Sequence, residues 1–169
     1  MEKKLEATTK QDILAKRSSR KQVPALFKKI DWEPESFNLD IGGGAYEVAT
    51  EWLAERGVTN LVIDKFNRSL YHNHLMRLKT YNLELSSITL ANVLNVIQGQ
   101  MHRIKLLEEV FEYYSEHRCP VYISCYNATG QPSASECQTC MSLTEYIPEI
   151  ESVFTDSTVT IQNNFIKIV

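Results

Sequence analysis

Two acids and three glycines stand where they could hold a ligand. Residues 37–46 read Phe-Asn-Leu-Asp-Ile-Gly-Gly-Gly-Ala-Tyr, a short apolar strand that reaches Asp40 and then runs through Gly42, Gly43 and Gly44 into a helix. Consecutive glycines cost backbone entropy. Their use implies either unusual dihedrals or a group that approaches so closely that a Cβ would collide with it. After a strand and before a helix, that group is commonly the backbone-hugging part of a nucleotide cofactor at the crevice of an open α/β sheet, and a tight structural turn is the alternative. Asp64 ends a second apolar run, Thr59 to Asp64, twenty positions past Gly44. An acid in that place can accept hydrogen bonds from both hydroxyls of a ribose. Glu47 fills the third small position of a dinucleotide turn, Gly-x-Gly-x-x-Gly/Ala. A bulky anion there disfavours pyrophosphate, and with it an NAD(P)-dependent oxidoreductase.

Alternating strands and helices must position these residues. Val23 to Ile30 has Pro24 at a first helical position and apolar residues at 23, 26, 27 and 30, which predicts a cover helix. A strand over 37–41 follows, then a helix over 45–56 that stops at Gly57, then the near-continuous apolar run of a buried parallel strand. Asn67 is expected to cap a helix over 68–80. A strand over 86–92, a helix over 98–117, a strand over 119–126 and an amphipathic helix over 142–154 come next. Residues 158–162 and 165–169 read as a hairpin closed through Asn163-Asn164. The order predicts an α/β fold: a three-layer, Rossmann-like, mostly parallel sheet finished by an antiparallel hairpin.

At 169 residues and 43% hydrophobic, the chain can bury one good core and is too short for two ordinary domains. One domain over 23–169 is expected behind a basic arm, 1–22. Residues 1–30 carry nine Lys/Arg against three Asp/Glu, whereas the remainder carries nine against eighteen. Such an arm suits nucleic acid or another anion, or is simply a solvated leader. No apolar run is long enough to span a bilayer, so a soluble cytoplasmic protein without membrane contact is expected. The four cysteines are too few and too clustered for a disulfide scaffold. Cys137-x-x-Cys140, with Cys119 and Cys125 upstream, has the wrong spacing for a zinc site, so free thiols and no metal are expected. His72-Asn73-His74 points its two rings to different sides of a helix, which suits surface or capping roles.

Asp40-Ile41-Gly42-Gly43-Gly44 resembles motif I, Asp-x-Gly-x-Gly, of the class I S-adenosylmethionine-dependent methyltransferases. The closing strand, helix and hairpin are similar to the last third of that fold, so the resemblance covers residues 37–169. It implies S-adenosylmethionine as cofactor, a molecule without phosphates. By the resemblance Asp40 faces the methionine ammonium across the Gly42-Gly43-Gly44 turn, Asp64 holds the ribose hydroxyls, and Phe66 packs on the adenine. Asn92 falls beside the cofactor methyl group, and Asn92 or Asn95 would orient the acceptor. Tyr126 or Asn127 would line the pocket, and Arg20 or Arg17 of the arm would close over the cofactor carboxylate. The block Asn92 to Ile97 looks like one in small stand-alone phage and bacterial methyltransferase-like proteins. It lacks the Pro-Pro-aromatic triplet of enzymes that methylate base amino groups. Only 28 positions separate Asp64 from Asn92, so the third strand-helix unit of the family is reduced or missing. Methyl transfer to an unidentified acceptor is the implied function; a noncatalytic cofactor-binding or interaction module on a degenerate fold is the alternative.

Overall fold

In β1 and β3 the apolar positions 39, 41, 88 and 90 alternate with polar ones, whereas β2 is apolar at 61, 62 and 63. A computed structural model describes residues 21–126 and 141–169. Strands β1 (Phe37–Ile41), β2 (Thr59–Ile63), β3 (Ser87–Ala91), β4 (Val121–Ser124), β5 (Val159–Gln162) and β6 (Phe165–Ile168) form one sheet in the order β2-β1-β3-β4-β6-β5. The first four run parallel, and β6 is antiparallel to both β4 and β5. Helices α1 (Val48–Ala54), α2 (Leu70–Thr80), α3 (Gln100–His117) and α4 (Leu143–Glu151) alternate with them. The α/β class, the parallel core and the terminal hairpin therefore match the sequence reading. The connection from β2 to β3 holds one helix and no strand.

The chain steps outward from β1 to β2 and then returns across β1 to β3. This reversal sets the carboxyl ends of β1 and β3 side by side, where open α/β sheets form a ligand crevice. One sheet face, with Leu39, Leu61, Ile88, Val121 and Ile166, packs with Met76 of α2, Leu107 and Val110 of α3, and Tyr146 and Ile150 of α4. The other set of positions is polar: Asn38, Asp40, Asn60, Ser87 and Thr89 are all buried. Their hydrogen bonds follow the strand register. Asn38 pairs in register with Asn60 and with Ser87, and Asp40 pairs with Thr89. Asn38 Nδ2 donates to Asn60 Oδ1 (2.8 Å) and Thr89 Oγ1 (2.9 Å), and Ser87 Oγ donates to Asn38 Oδ1 (2.8 Å). Slipping a strand by one residue would break all of these bonds, so the network specifies the register. A second apolar cluster, with Leu26, Phe27, Leu53, Val58 and Phe165, completes the core.

Local chemistry sets the element ends. Gly57 adopts φ +76°, as its C′ position after α1 requires. Asn163 and Asn164, at φ 48° and 62°, make the hairpin turn. Two expectations are corrected. The segment 23–30 forms only a 3₁₀ turn at Phe27–Lys29, closed by Phe27 N–H to Pro24 C=O (3.1 Å), although Leu26 and Phe27 are buried as the spacing implied. Ser69, not Asn67, caps α2, accepting from His72 N–H at 3.1 Å, because Asn67 is drawn back onto Asp64.

Candidate functional site at the β1–β3 crevice

Strand β1 delivers Asp40 to the crevice, and the glycines turn the chain away from it. Gly42 and Gly44 take φ +77° and +82°, a region L side chains rarely adopt. Gly42 N–H donates to Ile63 C=O (2.7 Å), tying the turn to β2. A Cβ on Gly42 would lie 2.6 Å from Val93 Cγ2, and one on Gly43 would strike the Asp40 carboxylate. The groups that approach the glycines closely are thus the chain's own.

Asp64 is 5% exposed and organises the facing turn. Its Oδ2 accepts Gly44 N–H at 2.8 Å, and its Oδ1 accepts the N–H groups of Phe66 (2.9 Å) and Asn67 (2.8 Å). The Asn67 amide bridges both carboxylate oxygens at 3.1 and 3.2 Å. From α2, Asn73 clamps the Asp64 backbone: Asp64 N–H donates to Asn73 Oδ1 (3.0 Å), and Asn73 Nδ2 donates to Asp64 C=O (2.9 Å). Arg68 completes the link, with Nε on Gly44 C=O (2.8 Å) and Nη1 on Glu47. That hydrogen bond from Arg68 holds the Glu47 carboxyl below its ordinary range.

Asp40 is 2% exposed and accepts from Thr89 Oγ1 at 3.1 Å. Burial pushes its pKa from 3.8 up to about 7, with the Asp64 charge adding to the rise, while hydrogen bonds from Thr89 and Asn60 and the Arg68 charge oppose it. Among the described residues no ion pair engages it.

The segment after β3 forms the other wall. Asn92 is exposed, takes φ 60°, and donates its N–H to Ser124 C=O (2.7 Å). Asn95 lies in a 3₁₀ turn, Leu94–Val96, and is 0% exposed. Arg103 of α3 pins this segment by donating to the carbonyls of Ile97 (2.8 Å) and Gln98 (3.2 Å) while forking onto Glu149 at 2.8 and 2.6 Å. Behind it, burial pushes the Cys125 thiol up to about 12.

The fold therefore gathers Asp40, Gly42, Gly43, Gly44, Asp64 and Val93 at one crevice, with Phe66 half-buried on the Asp64 turn. It leaves Asn95 inside the core and Tyr126 52% exposed just past β4. Arg17, Arg20, Asn127, Cys137 and Cys140 lie outside the described residues. Two cavities of about 420 and 280 Å³, both lined by Ser86 and Pro120, sit at the amino ends of the strands, away from this crevice. Arg68, Asn67 and Asn73 were missed by the sequence reading. The Asp64-x-x-Asn67 spacing carries the signal of an Asx turn, whereas nothing in the sequence marks Arg68 or Asn73. No protein-family model matches the chain. No curated protein matches it either. Among the described residues no helix is long and apolar enough to cross a membrane.

Proposed function

We propose that the crevice binds S-adenosylmethionine and that the chain transfers a methyl group from it to an acceptor. The observation that carries this reading is Asp40, a buried carboxylate that no ion pair among the described residues engages, set beneath a glycine turn at the reversal point of the sheet. The helix and strand order also suits a three-layer Rossmann-like form of the methyltransferase fold whose third strand-helix unit is gone. The residues present fit the cofactor in kind: an acid for an ammonium and a second acid for a diol, on either side of a turn whose conformation Gly42 and Gly44 permit. Glu47, paired with Arg68 beside the glycine turn, argues against phosphate.

When bound, the cofactor supplies a sulfonium-activated methyl group, so no protein nucleophile is required. The chain has to bind, orient and keep water out. Asp40, ionised, holds the ammonium; its burial strengthens that pairing. Both oxygens of Asp64 are spent on the chain, so a ribose diol would take the place of the Asn67 amide, the one donor on Asp64 that belongs to a freely rotating side chain. Phe66 flanks the adenine position. Asn92, exposed at the end of β3, borders the acceptor side, whereas Asn95 in the core serves to set the shape of its turn.

Isothermal titration calorimetry with S-adenosylmethionine and S-adenosylhomocysteine tests the reading: saturable binding that falls in Asp40→Asn supports it, and no heat with either compound overturns it. A noncatalytic binding module is the second reading, favoured by the burial of Asn95 away from any acceptor. Transfer of label from methyl-labelled cofactor to any component of a lysate would exclude that second reading.

A further inference from the structure

The carboxyl edge of the sheet carries a row of side chains whose order follows the strands. The parallel strands β2, β1, β3 and β4 lie side by side and end at this edge. Past their ends stand the exposed Lys65 after β2, Tyr46 after β1, Asn92 after β3 and Tyr126 after β4. Strand β6 runs the other way, with Ile166 opposite Ile123 of β4, so the Asn163-Asn164 turn before it reaches the same edge. Lys29, exposed, sits on that turn, its Nζ donating to Asn163 C=O at 2.6 Å. The row therefore reads lysine, tyrosine, asparagine, tyrosine, lysine across five strands, about 19 Å at the usual strand spacing. Phe66 adds a ring at one end, 5.5 Å from Lys65 Nζ.

Charge is sorted along the strands. At this edge Glu47 is taken up by Arg68 and Glu145 by the Ser142 N–H (2.6 Å), which leaves Glu51, in the first turn of α1, against Lys28, Lys29 and Lys65. At the amino ends the exposed Asp31, Glu33, Glu35 and Glu84 border the two cavities there. A polyanion is thus drawn to one end of the molecule and turned away from the other. Cations at both ends of a row with aromatic rings inside it match a chain of phosphates that carries flat bases. A duplex hides its base faces, so only a single strand can use the tyrosines. We propose that this edge binds single-stranded nucleic acid, with phosphates on Lys65 and Lys29 and bases stacked on Tyr46 and Tyr126, which brings a base over the crevice mouth at Asn92. The proposal rests on the edge itself and goes beyond the methyl-transfer reading.

Fluorescence anisotropy of a labelled single-stranded oligonucleotide, DNA and RNA in turn, titrated with the full chain in the absence of cofactor, tests it. Saturable binding that weakens as salt rises is expected, with the matching duplex bound less tightly. Lys65→Glu and Tyr126→Ala, both on exposed side chains, should each weaken binding at least about fivefold. Tyr126→Phe keeps the ring and should bind as the wild type does, and Glu33→Gln at the far edge should change nothing. No binding of either strand at low salt, a duplex bound as tightly as the single strand, or wild-type affinity in both Lys65→Glu and Tyr126→Ala would overturn the proposal. Since no cofactor is present, these outcomes are independent of whether the crevice binds S-adenosylmethionine.

Discussion

Asp40 is a buried carboxyl at the end of β1, and its titration couples to folding. Its pKa stands at about 7 in the folded chain against 3.8 for an unburied aspartate. The sign follows directly. A carboxyl with a raised folded pKa favours the fold fully below 3.8, and that contribution is lost as pH climbs to about 7. Thermal melts of the unliganded protein should therefore show stability falling across that window, and Asp40→Asn, which cannot ionise, should flatten the fall. Binding of an ammonium selects the ionised form. Affinity for S-adenosylmethionine should then rise with pH through about 7 and binding should release a proton, which titrations in buffers of different ionisation enthalpy would detect. The placement of Asp40 at the end of β1 and of the glycines in the turn after it was readable in sequence because motif spacing and backbone demand coincide there. Arg68 and Asn73 were not, since they act across 24 and 9 positions on backbone atoms of Gly44 and Asp64, and no periodicity encodes such contacts.

At the scale of elements, the crevice is a meeting of three turns, each fastened from elsewhere. The glycine turn is fitted against Val93, so Gly42→Ala adds both a clash and strain at φ +77° and should cost about 1–3 kcal/mol in urea unfolding. Val93→Ala in the same chain should recover the part due to contact and leave the part due to backbone. The wall after β3 depends on Arg103, 4% exposed, and Glu149, 6% exposed. Arg103→Met strands a buried carboxylate and should cost about 3–5 kcal/mol, whereas Arg103→Met with Glu149→Leu should recover most of the loss; denaturant midpoints of the two variants decide this. Most element positions were legible, because apolar period and flanking turn residues agree in β1, β2, α3 and the Asn163-Asn164 hairpin. The segment 23–30 was not: its apolar spacing satisfies a helix, yet its buried Leu26 and Phe27 are held by a 3₁₀ turn, with the Trp32 indole donating to Phe27 C=O at 2.7 Å. Asn67 misled for a related reason, since an Asx turn onto Asp64 and a helix cap use the same residue types.

For the molecule as a whole, the alternation that built the sheet also concealed its least expected feature. Asn38, Asn60, Ser87 and Thr89 are buried and bonded to one another across three strands. Sequence patterning cannot separate a wet face from a satisfied polar one. Asn38→Ala should take a partner from Asn60, Ser87 and Thr89 at once, although Thr89 keeps Asp40 and Asn60 keeps Thr50, and should cost about 2–4 kcal/mol, more than one lost hydrogen bond, as equilibrium unfolding would show. The same network ends at Asp40, so core and crevice share one set of bonds. The ligand proposed for this crevice is a cation-bearing, phosphate-free nucleoside. Calorimetric titration of the full chain with S-adenosylmethionine, alongside Asp40→Asn, tests it most directly. Saturable binding to the wild type and a loss of at least about tenfold in the variant are expected; no binding to the wild type, or equal binding to both, would overturn the proposal.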